Sequence, residues 1–506
     1  MRPIKRLSGF AFSRLFLVGL MLALQIGIVV TALVYFSHLV IYFYVPLYII
    51  SFVVVIFIVN NGTNPFYKIT WIIAILGFPL AGGLFYLFFG ATRLPRKLIR
   101  KLEQQENALL DYMPESAAAD LNPATGQLES YIRNVTGFPA CANTAAEYFP
   151  LGEYMFDAMV RELELAEKYI LMEFFIIRPG YMWDTIFKIL QSKIKDGVKV
   201  YMMYDDFGCI KFLPKGYDKL IRGAGIRLCV FNPFRPRISP LLNYRDHRKI
   251  LVIDGKTAFC GGINIADEYI NKLQRFGHWR DTGVLLRGDA AWQFALLFLQ
   301  QWQFGTQTFI DISAFLSDYD HPESDGLVQV FGDSPLDSDN VTESAYLGII
   351  SRATKYVYIT TPYLVIDYRM EQALCTAAQS GVDVRIVTPY RYDKWYVHML
   401  TRSHYKRLIW AGVKIYEYTP GFIHGKMFVS DDAVCMVGTC NMDFRSFYLH
   451  FECSVAFYGS SIVKAVKDDM LICQKLSHGV TLVEATDVPI FVRILRSLLK
   501  LFAPLM

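Results

Sequence analysis

Residues 244–264, YRDHRKILVIDGKTAFCGGIN, set His247, Lys249 and Asp254 in the spacing H-x-K-x4-D and follow them with Gly261, Gly262 and Asn264. Residues 422–441, FIHGKMFVSDDAVCMVGTCN, repeat the pattern with His424, Lys426 and Asp431, then Gly438, Thr439 and Asn441. In both copies the Asn lies 17 residues after the His. One copy would be weak, because three residue types at fixed offsets arise by chance; two copies with matching tails make chance a poor account. An imidazole is near half-protonated around neutral pH and can act as nucleophile, base or acid. Each Lys stands two residues from its His, on the same face of an extended strand. A positive charge beside an imidazole suits a phosphate substrate, whose transition state spreads negative charge over its oxygens. Two such pairs facing one another would surround one phosphorus, one His attacking while the other protonates the leaving oxygen. Asn264 and Asn441 can donate hydrogen bonds to phosphoryl oxygens.

A metal centre competes with this reading and fails at both motifs, because Lys is a poor ligand and no Asp/Glu/His cluster with zinc spacing surrounds either one. No metal or other cofactor is expected. A lone His on a β-hairpin would be read as a surface or core residue; the duplicated His–Lys pair reverses that. His38, His278, His321, His398, His404, His450 and His478 have no partner motif and read mostly as structural.

HRKILVID and HGKMFVSD resemble the twin signatures of the phospholipase D superfamily. The resemblance implies a two-step, metal-free phosphodiester exchange through a phosphohistidine, with His247 as nucleophile and His424 as general acid. It also implies a carboxylate that orients each imidazole. Glu452, in HFECSV, lies 28 residues after His424 and takes that place for it, with Asp281, in HWRDTG, the counterpart for His247. Asp254 and Asp431 complete the motifs and are expected to stabilise them more than to react. The family often has Gly-Ser before the Asn, where this chain has Gly261-Gly262 and Gly438-Thr439.

The elements that must position these residues form a repeat. AEKYILMEFFII (166–177) parallels ATKYVYITTPYL (353–364), DGVKVYMMYDD (196–206) parallels SGVDVRIVTPY (380–390), and AGIRLCVF (224–231) parallels AGVKIYEY (411–418). Strands alternating with amphipathic helices argue an α/β fold. The expected architecture is two pseudo-symmetric phospholipase D-type halves with largely parallel sheets, 146–325 and 326–488, preceded by an N-terminal helical transmembrane region. Glu173, on the strand MEFF, is a further candidate to face the site. The insert NPFRPRISPLLNYRD (232–246), basic and apolar, reads equally as a lip meeting anionic lipid or as a loop packed on its own domain.

Of 506 residues, 53% are hydrophobic and 19% charged, apolar for a soluble protein, and the net charge of +5 fits an anionic membrane surface without demanding nucleic acid. Nine cysteines without a C-x-x-C read as reduced thiols. Within 1–91, apolar segments at 15–36, 39–59 and 69–90 are near the ~20 residues that span a bilayer. The cluster Arg93, Arg96, Lys97, Arg100 and Lys101 places the catalytic part in the cytoplasm. The basic N-terminus prefers that side too, which three full spans would forbid, so either one preference loses or one segment is re-entrant or interfacial. Residues 92–145 form a basic and polar linker. Residues 489–506 form an amphipathic helix, either docked on the body or lying at a membrane interface.

ITWIIAILGFPLAGGLFYLFFG, TPYLVID, WRDTG, AGVKIYEY, GFIHGKM and GTCNMDFRSF resemble the bacterial cardiolipin synthases of that superfamily. This implies a multi-pass cell-membrane enzyme that joins two phosphatidylglycerol molecules into cardiolipin and glycerol. Its partners would be anionic lipids and the membrane, not nucleic acid, and a homo-oligomer is open. Rival readings are transfer to water, ethanolamine or serine, a membrane-tethered nuclease, and a scaffold that keeps the fold without activity.

Overall fold

The computed structural model describes residues 23, 24, 26–28, 31, 40–90, 108–118, 121–233, 243–318, 322–337 and 339–505. Most of the expected segment 15–36, residues 92–107 of the linker 92–145, and 234–242 of the insert lie outside the described residues. The described residues group into two compact units, one holding 40–90 with 500–505 and the other holding 108–233 and 244–499.

In the first unit, α1 (Val40–Val59) is followed by α2 (Pro65–Gly77) and α3 (Pro79–Phe89). Asn64 caps α2 by accepting from the Phe66 N–H, with Pro65 in the first turn where no donor is needed. The apolar segment 69–90 is not one continuous helix but is divided between α2 and α3. Pro79 lacks an N–H and forces Phe78 out of helical geometry (φ −137°, ψ 75°). The two helices fold back on each other, with Trp71 against Phe85 and Tyr86 at ring distances of 5.8 and 5.3 Å. A Cβ on Gly82 would meet the Ala74 carbonyl oxygen at 2.1 Å, so this crossing requires glycine. Ile58, Trp71 and Ile75 form the small core, and Leu505 packs on it. Among the described residues no helix is long and apolar enough to cross a membrane. α1 carries Pro46 within it. Its Ile49, Ile50, Phe52, Val53 and Phe57 are exposed.

The second unit is an α/β body of two sheets built to one plan. The first sheet contains β1 (Thr144–Phe149), β2 (Tyr169–Phe174), β3 (Lys199–Asp205), β4 (Arg227–Phe231), β5 (Lys249–Ile253), β6 (Thr257–Gly261) and β7 (Gly283–Gly288), in the order β1-β7-β6-β5-β2-β3-β4. The second contains β8 (Leu327–Asp333), β9 (Tyr356–Thr360), β10 (Asp383–Pro389), β11 (Lys414–Tyr418), β12 (Met427–Ser430), β13 (Val434–Gly438), β14 (His450–Tyr458) and β15 (Ser477–Gly479), in the order β8-β14-β13-β12-β9-β10-β11-β15. Along these two strand paths only β2-β3-β4 and β9-β10-β11 pair in parallel, through helical crossovers. The other neighbours on each path are antiparallel, so the sheets are mixed rather than largely parallel. The cause is the motif itself, a hairpin (β5-β6, β12-β13) that must return beside its own strand. Helix α4 (Asp289–Thr306) packs on strands of both sheets. Every residue from Asp289 to Leu299 is buried, as expected of a helix apolar all round.

Asp254 and Asp431 sit at the far end of their strands, in the hairpin turns, with φ of 53° and 54°. Asp254 accepts from the N–H groups of Glu167, Lys168 and Tyr169 at 2.7–2.8 Å. Asp431 accepts from those of Thr354, Lys355 and Tyr356 at 2.6–2.9 Å. They tie each turn to the start of β2 or β9. Asp254→Ala should therefore lower stability by about 2–4 kcal/mol through three orphaned donors. Denaturant melts beside turnover per folded molecule check this, with the loss expected in the first.

Candidate active site

Each motif His lies in a break between two strands. His247 falls between the short strand Arg245–Asp246 and β5, and His424 between Gly421–Ile423 and β12. These short strands cross to the opposite half. Arg245–Asp246 pairs in parallel with His450–Phe451, and Gly421–Ile423 with His278–Arg280. The His247 N–H donates to the Phe451 carbonyl at 2.9 Å and the His424 N–H to that of Arg280 at 2.7 Å. The next residues along those partner strands are Glu452 and Asp281.

The carboxylates are consequently exchanged. His247 Nδ1 lies 2.9 Å from Glu452 Oε1, and His424 Nδ1 lies 2.7 Å from Asp281 Oδ2. The pairing expected from sequence, Glu452 with His424 and Asp281 with His247, is corrected. Proximity along the chain suggested partners within a half, whereas the crossing ladders deliver each imidazole to the other half's carboxylate. In both pairs Nδ1–H donates to a carboxylate and leaves Nε2 with its lone pair.

Glu452 also accepts from the Thr439 hydroxyl. In the other half the matching residue is Gly262, where a Cβ would lie 2.0 Å from Asp281 Oδ1. The departures from Gly-Ser thus serve the carboxylates. Lys249 Nζ donates to the His247 carbonyl, and Lys426 Nζ lies across its own His ring, 2.9 and 3.1 Å from the two nitrogens. Asn264 accepts from the Ile176 N–H and donates to the Tyr269 hydroxyl, while Asn441 donates to Ser446 and its buried Oδ1 has no partner. Glu173 is in register with Ile250, hence on the sheet face opposite Lys249. Its electrostatic partners are Asp246 and Arg248, not an imidazole.

Phe175 stands 4.9 Å from His247, and Trp279, Tyr269 and Phe422 stand 5.3–5.9 Å from His424. Within these walls burial, then the charges of Lys249 and Lys426, holds the His247 imidazole well below its ordinary pKa. His424 is pushed down to about 4 by burial and Lys426, against the pull of Asp281. Burial brings Lys426 down to about 7. His450, read as structural from sequence, stands beside His247 at 5.3 Å between rings, and no local signal could have placed it there.

Fold and twin motifs together define the class, a phosphodiester-exchanging enzyme built from two fused phospholipase D-like halves. The family described as "Cardiolipin synthase, PLD-like domain" matches residues 346–471, and that described as "Phospholipase_D-nuclease N-terminal" matches 47–90. An uncharacterized protein of Streptococcus mutans serotype c is 40% identical over 89% of this chain and 99% of its own. A cardiolipin synthase of Geobacillus sp. strain WCH70 is 35% identical over 90% of this chain and 92% of its own. In fold, the chain is similar to the crystal structure of phosphatidylserine synthase from Haemophilus influenzae Rd KW20 (TM-score 0.58, 14% identity, 76% of this chain and 98% of that one). The chain belongs to the cardiolipin synthase family of the phospholipase D superfamily. It is an enzyme, a phosphatidyltransferase.

Two outcomes follow from the geometry. In protein labelled with 15N-histidine, Glu452→Gln should remove the Nδ1–H signature of His247 and leave that of His424, with Asp281→Asn doing the reverse; the opposite pattern would sink the exchanged pairing. The pH profile of kcat/KM reports the free enzyme's groups. With both imidazoles already neutral no ascending limb should appear near pH 6.5, and the profile should fall as pH rises through about 7, where Lys426 loses its charge.

Proposed function

We propose that the chain condenses two phosphatidylglycerol molecules into cardiolipin and glycerol, with His247 as nucleophile and His424 as acid and then base. The observation that carries this reading is the pair of imidazoles, each with Nδ1 bound to a carboxylate and Nε2 directed elsewhere. His247 Nε2 attacks the phosphorus of one lipid and forms a P–N bond, while the P–O bond to glycerol breaks. His424, protonated at Nε2 when the anionic phosphodiester is bound, gives that proton to the departing oxygen. Neutral His424 then takes the hydroxyl proton of a second phosphatidylglycerol, whose oxygen attacks phosphorus and releases His247. Lys249, Lys426, Asn264 and Asn441 hold the phosphoryl oxygens, and Glu452 and Asp281 stabilise each imidazole when it carries extra positive charge. The aromatic walls keep water scarce, which favours transfer to a lipid hydroxyl over hydrolysis.

The apolar first unit supports a place in the bacterial cell membrane, with the catalytic body on the cytoplasmic side and α2–α3 re-entrant. A re-entrant hairpin removes the conflict between the basic N-terminus and the basic cluster after residue 91, because two spans return the chain to its starting side. α5 (Ile490–Phe502) has no buried residue and exposes Ile490, Phe491, Ile494 and Leu498. Its uncovered apolar side supports the interfacial reading over the docked one.

Lipid mass spectrometry on purified protein given phosphatidylglycerol alone tests the reaction. Cardiolipin with free glycerol is expected from the wild type, and phosphatidic acid instead would mean a hydrolase. His247→Ala and His424→Ala should each lose at least about 10³-fold in turnover. A substrate with a nitrophenol leaving group should restore formation of the phosphoenzyme in His424→Ala and not in His247→Ala, because an activated leaving group needs no acid.

A further inference from the structure

We propose that His247, His450 and Glu452 form a binding site for a divalent transition-metal ion of the zinc type, and that filling it stops phosphatidyl transfer. His450 and Glu452 are two residues apart on β14 and share a face. The crossing ladder brings His247 against them. One ligand atom from each residue lies within 4.8 Å of the others, a group of three candidate ligands among the described residues. His247 and His450 are each 7% exposed and Glu452 is fully buried.

The independent sign is His450 itself. Among the described residues neither of its buried ring nitrogens has a hydrogen-bond partner, and Glu452 Oε1 lies 3.6 Å from Nδ1. Buried polar atoms are ordinarily satisfied, and no step of the transfer uses this ring. Two imidazoles and a carboxylate are the donor set that zinc takes in three-ligand sites, with water in the fourth position. Bonds of ~2.1 Å in tetrahedral geometry want ligand atoms about 3.4 Å apart. Glu452 Oε1 already stands 2.9 Å from His247 Nδ1 and 3.6 Å from His450 Nδ1, so rotation of the two rings completes the set. Lys249 and Lys426 oppose the ion's charge while Glu452 and Asp281 favour it. Bound phosphodiester, which recruits the lysines and the nucleophile, should compete with the metal.

The consequence for turnover follows from the imidazole's two nitrogens. A metal–Nδ1 bond forms and the Nδ1–H bond to Glu452 is lost. The proton moves to Nε2, so no lone pair remains there for phosphorus, and no net proton is released. This consequence rests on the nucleophile reading above, whereas the binding does not.

Zn2+ would be titrated calorimetrically into chelator-stripped full-length protein in detergent, and Co2+ followed by its visible absorption, beside turnover of phosphatidylglycerol. Wild type is expected to take up one ion per chain, to lose turnover in step with occupancy, and to recover it with EDTA. His450→Gln and His450→Asn are expected to keep metal-free turnover and to need at least about tenfold more Zn2+ for half-inhibition. His247→Ala should weaken Zn2+ binding to a similar extent. Absence of saturable binding to wild type, or equal binding by whichever His450 variant melts cooperatively, overturns the site. Full occupancy with turnover intact would leave the site standing and overturn the role of His247.

Discussion

Two short parallel ladders, Arg245–Asp246 on His450–Phe451 and Gly421–Ile423 on His278–Arg280, are the constraint on which the site depends. They are only two and three residues long, and alone would contribute little. Their effect is positional. Each ends at the residue before a motif His or before an acidic residue, so backbone pairing between the halves sets the distance between imidazole and carboxylate. Neither half holds the carboxylate of its own motif His. A chain with one half misfolded would therefore lose both pairs together.

Everything within the site is a balance between burial and charge. Taking an imidazole out of water favours its neutral form, and the neighbouring lysines push the same way. The carboxylates act against both and fix the tautomer. A neutral His247 with its proton on Nδ1 is what nucleophilic attack from Nε2 requires. His424 faces the opposite demand in the proposed first step, which only an anion at the phosphate position can meet. Substrate charge would then switch on the acid, and the free enzyme would keep it silent.

The scaffold around these pairs answers to steric detail. Gly262 is glycine because the Asp281 carboxylate occupies the space a side chain would need, whereas Thr439 at the matching place lends its hydroxyl to Glu452. In the first unit one imino acid, Pro79, turns what hydropathy reads as a single span into a helical hairpin. Apolar composition reports the company a segment keeps. Its length in one direction depends on where the backbone can continue its hydrogen bonding.

The sequence by itself determined the two His–Lys pairs, the duplicated order of strands and helices, and membership in the family. These are local or periodic properties: offsets of two and five residues, and repeats of the same element pattern. Tertiary structure decided which carboxylate serves which imidazole, and that the sheets are mixed. It also decided that Glu173 turns away to Asp246 while His450, without any motif, stands against His247. The exchange of carboxylates rests on contacts between residues 143 and 205 apart in the chain, made by strands that leave their own half. Spacing along a sequence carries no record of such a crossing, because either pairing would satisfy the same chemistry and only the path of the backbone selects one.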